Sequence, residues 1–562
     1  MTAPVSVFIN DEKATLQLDS LNIDKRIEER SVADFSVKDE AGSGSYVRGH
    51  PVAIVKGDTS AAWLAGWKQR TRIVIDNTKV DSTLTWFPVM LRISGTCGLT
   101  SADFTRVFDE LGSEKLKIAV TKSDGQTQLY VEIEKWDADN EEAILWVSRD
   151  GWEISSSSDT VFYLYYDADH ADNSNYVGDT NSTPAENVWD AHFINVCHMS
   201  NGVDNQHCYD STNNNDDWTK GGAAAPTEAA GKVGKCQNFN RAANEVLSAT
   251  GTKIRALAGD CTVEALFRLD NLNEQVIFAT DASEAGHLLV QTRPSVSGMR
   301  TVYNPIDGYY IKDVATVPPM ATGVWHLTTL RGTATSVEQF SNGASTGIDT
   351  SKSASGRDTD FCKMGERGAG VASLGGDICE ARVSDSARSD AWIKATFHIL
   401  WDELLTIPGT DETLEFAGFI DNPGKARLAP VSGLLHDITC MDNHYLADKR
   451  LVVKSYTDKT LEYIVEDILT DYLADEGVTE GLIETGPTIA EAIFNYVHPS
   501  DAFDSLKELS GKIWFLDECK RLYFVARETY KAPWQLDNST YKPIGKPHLS
   551  TGNPLYRNKQ YV

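Results

Sequence analysis

In LYVEIEKWD (residues 129–137), Glu132 and Glu134 alternate along a strand-like run. Alternate strand positions face the same side, with side-chain origins about 7 Å apart. That separation is compatible with the paired carboxyls of a retaining glycosidase, which sit about 5 Å apart. Two other clusters mix aromatic rings with amides and carboxylates, CYDSTNNNDDWTKGG (208–222) and TVYNPIDGYYIKD (301–313). There Trp218, Tyr309 and Tyr310 could cover the C–H faces of a polyhydroxylated ligand, and Asn213, Asn215, Asp216 and Asp217 could meet its hydroxyls. The competing reading is a pair of solvated loops whose rings pack on their own domain. Asp210, Asn213, Asn215 and Asp217 also place oxygen donors at short intervals, as a calcium loop does. They lack the glycine and terminal bidentate glutamate of an EF-hand, so an Asx-rich turn is favoured and no metal is assigned. His198 and His207 flank no evident metal set and read as structural residues. The chain has no Gly-x-Ser-x-Gly elbow, His-Glu-x-x-His helix or Walker loop.

The elements that would carry these groups are mostly strands. SYVRGHPVAIVKGD (45–58) reads as one arm of a hairpin and ETLEFAGFIDNPG (412–424) as the other. More than 350 residues with their own strand patterns lie between them. Exposed turns tolerate long insertions, because lengthening a loop adds little closure entropy. The outer pieces therefore predict one body and the intervening stretch a module that it displays. Within the stretch, KLKIAVTKSDGQTQLYVEIEKWDADNEEAILWVSRDGWEI and DTVFYLYYDADHAD predict short strands separated by turns, the pattern of a β-sandwich. WHLTTL (325–330) reads as a core strand. Near the end the period changes. Leu461, Ile464, Val465, Ile468, Leu469 and Leu473 recur at three- and four-residue steps before Gly477, which predicts an amphipathic helix. HPSDAFDSLKELSG predicts a second, capped by Ser500 or Asp501 and ended by Gly511. KIWFLDECKRLYFVAR then predicts a hairpin, so this part is α+β.

Composition narrows the function classes. The net charge is −29, from 52 basic and 81 acidic side chains. Such a surface repels a phosphate backbone, so stable nucleic-acid binding is not expected. No apolar run approaches a membrane span, and MTAPVSVFINDEKATLQL lacks a basic stretch followed by an apolar one, so neither a transmembrane nor a Sec-exported chain is expected. Nine cysteines without a CxxC pair argue against a disulfide framework or structural zinc, with a single bridge left open. Assembly in a reducing cytosol follows.

Five blocks in order, ERSVADFSVKDE, SYVRGHPVAIV, FAGFIDNPGKARLAP, LLHDITCMDNHYLADKR and SDAFDSLKELSGKIWFLDECKRLYFVAR, resemble the central tail hub, or baseplate hub, proteins of tailed bacteriophages. The resemblance covers residues 1–60 and 413–562. It implies a β-rich virion protein of the tail tip, assembled in the host cytoplasm. It also implies a homotrimer around the tail axis that contacts the distal tail protein, the tape-measure protein and other tail-tip proteins. An acidic channel wall would let DNA pass without sticking. Members of that family usually continue past NPLYRNKQYV, which suggests a fragment or a split version of a longer hub.

The inserted stretch carries two further resemblances. WKQRTRIVID, FPVMLRI, SDGQTQLYVEIEKWD, YLYYDADHAD and VWDAHFINVCHMS (about 63–200) resemble a domain family of uncharacterised function that commonly precedes concanavalin-like lectin domains. CQNFNRAANEVLSATG, DCTVEALFRLDN, GVWHLTTLRG, VEQFSNGAST and GGDICEARVSDSARSDAWIKATF (about 200–402) resemble a laminin-G or concanavalin-like jelly roll. Such sandwiches most often bind carbohydrate, which makes Trp218, Asn213, Asn215, Asp217, Tyr309 and Tyr310 the carbohydrate-binding candidates. Glucanases of that fold use a Glu-x-Asp-x-Glu series, and this chain has none. Glu132 and Glu134 therefore read as ordering their strand, and no catalytic residue or cofactor is expected. The fold expectation is mainly β with an α+β part, a split β-rich hub domain interrupted by two jelly-roll sandwiches. The hub occupies residues 1–60 and 412–562, the first sandwich 61–200 and the second 201–411. The function expected is a structural tail protein whose insertion binds host-surface glycan. A glycan-degrading tail enzyme and a purely architectural insertion are the alternatives.

Overall fold

The computed structural model describes residues 5–17, 20–26, 30–39, 44–57, 59, 61–221, 225–283, 286–306, 308–356, 359, 361–368, 370–424, 427–428 and 433–529. NPLYRNKQYV lies outside them, as do parts of the first and third hub-like blocks. Strands account for 44% and helices for 14%, so the protein is mainly β. Two compact units separate: residues 1–25 with 31–443, and residues 26–30 with 444–562. This division is coarser than the four segments read from sequence, and its boundary at 443/444 falls inside the last of them.

In the larger unit, Pro51–Lys56 buries Val52, Ile54 and Val55. It pairs antiparallel with Glu412–Asn422, Val55 opposite Leu414 and Ile54 opposite Phe416. These are the two arms that the sequence sets at either end of the long intervening stretch. Val5–Ile9 pairs with the other edge of Pro51–Lys56. Leu434–Asp442 joins Glu412–Asn422 to Val32–Asp39, whose Ala33, Phe35 and Val37 alternate inward. The sheet continues past this body. Glu412 and Thr413 also pair with Arg70 and Gln69. Through Gln69–Ile75 the sheet runs on into Thr160–Tyr166, Ile118–Thr121, Gln128–Asp137, Glu142–Ser148 and Val89–Ile93. Arg70 sits at this junction fully buried, donating to Glu412 at 2.7 Å and to the Tyr165 hydroxyl at 2.5 Å. Its guanidinium lies 3.9 Å from the centre of the Tyr163 ring.

Two eight-stranded sheets follow. One contains Cys261–Leu269, Trp325–Thr333, Gly376–Ser384 and Phe193–Cys197; the other contains Trp218–Lys220, Val276–Ala279, Leu288–Arg293 and Tyr310–Ala315. Phe239, Phe267, Phe278, Val290, Leu330 and Val383 fill the space between them and make the concanavalin A-like sandwich. The first of these sheets is covered on both faces. Ala265 and Phe267 point into its own sandwich, whereas Leu266 joins the core beneath the preceding sheet, with Leu145, Trp146 and Cys379. Gly376–Ser384 is accordingly buried at every position, the pattern of a strand with no solvent face. The inserted sheets are thus three layers that share a middle one. The helix Asp390–Leu400 closes the first core. Ser389 Oγ caps it, accepting from Trp392 N at 3.2 Å, and Trp392 meets Phe87 edge-on at 4.9 Å.

In the smaller unit, Val452–Thr460 pairs with Thr488–Val497. Leu461–Ile468 is an α-helix that buries Leu461, Ile464, Val465 and Ile468, and Leu469–Leu473 widens into a π-turn. The helix Pro499–Ser510 ends at Gly511 with φ 72°. Its cap is His498, not Ser500 or Asp501: Pro499 fills the first helical position, and the Asp501 carboxylate instead accepts from the cap backbone N–H. Ile513–Leu516 and Arg521–Val525 form the hairpin, with Asp517 accepting from the backbone N–H of Cys519 and Arg521. All nine cysteines are buried and none is joined in a disulfide. Among the described residues no helix is long and apolar enough to cross a membrane.

Candidate functional site

On the concanavalin A-like sandwich, the residues after Lys235–Phe239 turn through a short 3-10 segment, Arg241–Ala243. Asn240 caps that turn, its Oδ1 accepting from Ala242 N at 3.0 Å, and Asn244 closes it in the left-handed region at φ 51°. The end of Cys261–Leu269 brings Asp270 and Asn271 alongside. Together these residues line an open cavity of about 770 Å³. Arg241 braces its wall, donating to the carbonyls of Glu274 and Ser373 at 3.0 and 2.6 Å. Asn244 Oδ1 accepts from Ser373 Oγ at 2.8 Å, and Asn271 Oδ1 from Asn273 N at 3.2 Å. Each amide oxygen is thus spent on the scaffold. Among the described residues the Nδ2 groups of Asn240, Asn244 and Asn271 and the carboxylate of Asp270 have no protein partner. A Cβ on Gly375 would lie 3.1 Å from Asn271 Nδ2, so glycine keeps this side open. Three amide NH2 groups and one carboxylate on residues lining a polar cavity suit a neutral, hydroxyl-rich ligand. Phe239 is 1% exposed and offers no stacking face.

A second constellation is buried between the first sheet and the middle one. Glu132 and Glu134 on Gln128–Asp137, His198 just beyond Phe193–Cys197, and Glu380 and Arg382 on Gly376–Ser384 meet there. His198 Nδ1 lies 2.7 Å from Glu380 Oε1 and 3.5 Å from Glu134 Oε2, and Nε2 lies 3.5 Å from Glu132 Oε2. Glu132 accepts from Trp189 Nε1, Thr180 Oγ1 and Ser211 Oγ, each at 2.7 Å. Glu134 Oε2 accepts from Trp146 Nε1 at 2.8 Å, and Arg382 lies 3.3 Å from Glu380 with its guanidinium 4.4 Å from the Trp146 ring. Burial opposes charge on His198, yet Glu380, Glu134 and Glu132 raise its pKa well above the ordinary imidazole value. Burial pushes Glu134 up to about 7, with His198 opposing and Glu380 adding to it. Against the same burial, His198, Thr180 and Ser211 hold Glu132 below the usual range.

The residues chosen from sequence fall elsewhere. Trp218 is completely buried, its indole N–H donating to Asn195 Oδ1 at 2.8 Å and its ring against Phe278. Tyr310 is 4% exposed and donates to the Ala334 carbonyl. Neither ring has a face open to a ligand, because strand alternation turns both into the core. Tyr309 is half-buried beside Val276 and Leu289. The strands carrying Trp218 and Tyr310 stand in one sheet with five others between them, so the two clusters do not converge. Asn213 and Asn215 are exposed. In the same loop Asp210 accepts from the backbone N–H groups of Val196, Thr212 and Asp216, and Asp217 from that of Asp210. These carboxylates organise a turn. Sequence reasoning named Glu132, Glu134 and His198 but did not join them to one another or to Glu380, which is 182 residues from His198, and it missed the cavity amides, which look like ordinary turn residues. The GDICEARVS strand at 376–384 was the available signal, since a glutamate and an arginine in a strand with no solvent face must be paired.

The concanavalin A-like lectin/glucanases superfamily model matches residues 241–394, which carry most of the cavity wall, Asn238, Phe239 and Asn240 lying just before them. No curated protein matches the chain. Among solved structures, domain 4 of AbnA, a GH43 extracellular arabinanase from Geobacillus stearothermophilus, in complex with arabinotriose, is 16% identical. That match covers 37% of this chain and 98% of that one, with a TM-score of 0.30. The botulinum neurotoxin serotype D ligand binding domain in complex with N-acetylneuraminic acid is 10% identical over 38% of this chain and 54% of its own, with a TM-score of 0.28. The binding domain of Paraclostridial Mosquitocidal Protein 1 is 10% identical over 38% and 55%, with a TM-score of 0.29. The chain thus spans about half the length of the two toxin domains. Scores this low carry no ligand or mechanism over to it.

Proposed function

We propose that the chain is a glycan-binding component of a phage tail tip, in which a hub-like body displays a concanavalin A-like sandwich toward host-surface carbohydrate. The observation that carries the binding role is the cavity beside Asp270, with its three free asparagine amides, whose wall lies mostly on the segment matched by the lectin/glucanase model. The tail setting rests on the ordered hub-like blocks and agrees with an insertion at the tip of the Pro51–Lys56 and Glu412–Asn422 arms. Binding without hydrolysis fits the site: Glu132 and Glu134 have side chains 0% and 1% exposed, so no glycosidic bond can reach them. Weak single-site affinity would be raised by a trimer, since tethered copies act at high effective concentration.

A glycan array with the full chain, read beside the Asp270→Asn variant and a reducing-sugar assay, tests this. Binding by the parent that falls at least tenfold in the variant, with no sugar released, is the expected result. Sugar release would favour a degrading enzyme, and an array without hits would favour an insertion that only braces neighbouring tail proteins.

A further inference from the structure

We propose that Glu134, Glu380 and Nδ1 of His198 form a binding site for a transition-metal dication of the zinc class, seated between the first sheet and the middle sheet. One imidazole nitrogen and two carboxylate oxygens from three separate stretches of chain lie within 4.8 Å of one another. Ligands about 2.0–2.2 Å from a tetrahedral zinc stand about 3.4 Å apart, so the donors need only small movements. The imidazole selects for zinc-like ions over calcium or magnesium, which prefer oxygen alone.

The cluster has more than donors. Glu134 Oε1 belongs to a side chain only 1% exposed and has no hydrogen-bond partner. Gly234 makes room for it, because a Cβ there would fall 1.8 Å from that atom. Every donor also has an outer support. Trp146 steadies Glu134 and Arg382 steadies Glu380. A metal on Nδ1 keeps the imidazole proton on Nε2, which faces Glu132 at 3.5 Å, and Glu132 is itself held by Trp189, Thr180 and Ser211. A carboxylate behind a metal-bound histidine fixes the ring and its tautomer. The charges agree as well. With a neutral imidazole, Glu132, Glu134 and Glu380 against Arg382 leave two negative charges, which a dication balances where water cannot.

Because the site is sealed, the metal must enter as the chain folds. The test is the full chain expressed in medium supplemented with zinc chloride or cobalt chloride, desalted, and assayed by mass spectrometry for metal and by visible absorption for cobalt. Stoichiometric zinc that survives desalting, and a strong cobalt band of the four-coordinate kind with Glu134 Oε1 as the fourth donor, are expected. Both should disappear in Glu134→Gln with the circular dichroism unchanged. Glu132→Gln, which among the three proposed ligands faces only the histidine, should weaken retention by roughly ten- to a hundredfold. A parent chain that keeps no zinc and shows no such band overturns the proposal; a proton on His198 then completes the network. Equal retention by Glu134→Gln and Glu380→Gln overturns it too, since the metal would lie elsewhere. Should those variants fail to fold, the parent's cobalt spectrum decides, a weak six-coordinate band counting against the site.

Discussion

At the scale of single residues, what decides a role here is whether a side chain has a partner. Trp218 and Asp270 belong to one sandwich, yet Trp218 is enclosed and bonded to Asn195, whereas Asp270 is exposed and its carboxylate has no protein partner among the described residues. Trp218→Ala should therefore cost about 3–5 kcal/mol in denaturant unfolding. Asn213→Ala and Asn215→Ala, at exposed positions, should stay within about 0.5 kcal/mol. An unchanged midpoint for Trp218→Ala would mean that the ring is not core. Gly234 offers a sharper case: Gly234→Ala would place a methyl on Glu134 Oε1 in a backbone turn at φ 47°, so it should lower the melting temperature clearly more than Gly259→Ala, where the added carbon meets nothing within 4 Å. Thermal melts of the two variants side by side settle this. Such contrasts were invisible in the sequence. The polar surroundings of Trp218 resemble a ligand loop, and only the period-two placement of Trp218 and Lys220 inward with Thr219 outward hints at a strand.

At the scale of elements, much more was legible. The three- and four-residue spacing of Leu461, Ile464, Val465 and Ile468 gave the helix, and KIWFLDECKRLYFVAR gave the hairpin, because periodicity and turn chemistry are local properties. The cap of Pro499–Ser510 was misplaced because proline at the first helical position shifts the cap to the residue before it. What joins the last elements is an ionic tie that no local pattern shows. Glu484, following Thr479–Ile483, accepts from Lys512 at 2.6 Å, from Thr529 and from Ala526 N. Lys512 and Thr529 are the main reasons that its carboxyl is held at about 2, below the ordinary 4.5. A depressed carboxylate stabilises the fold above its unfolded pKa, and that contribution is lost as pH falls through the folded one. Glu484→Gln should accordingly lower the melting temperature by a constant amount at pH 6–8, with the gap to the parent closing as pH drops from about 4.5 toward about 2. A gap independent of pH would place the effect in packing instead.

At the scale of the whole chain, the pairing of Pro51–Lys56 with Glu412–Asn422 shows how a long stretch can leave and rejoin one sheet, and the strand Gln69–Ile75 shows why that stretch is not a free appendage. Phe8 and Val55 pack against Trp63, Trp67, Tyr163 and Tyr165, so the outer strands and the inserted ones bury each other's apolar faces. Arg70 and Glu412 pair at this seam with side chains 0% and 10% exposed. Breaking one partner of a buried ion pair strands the other charge, at a cost of about 3–5 kcal/mol. The shared middle sheet extends the same argument to the sandwich, since Leu266 and Cys379 face one core while Phe267 and Ile378 face the next. Layers that cannot be separated without exposing both sides of a sheet should melt together. Differential scanning calorimetry of the full chain should therefore give a single large transition for the unit holding residues 31–443, distinct from that of the unit holding residues 444–562. Glu412→Gln should lower the large transition as a whole and leave the other in place. A displayed module that folded alone would instead split the large transition, and Glu412→Gln would shift only the part that contains the Pro51–Lys56 arm.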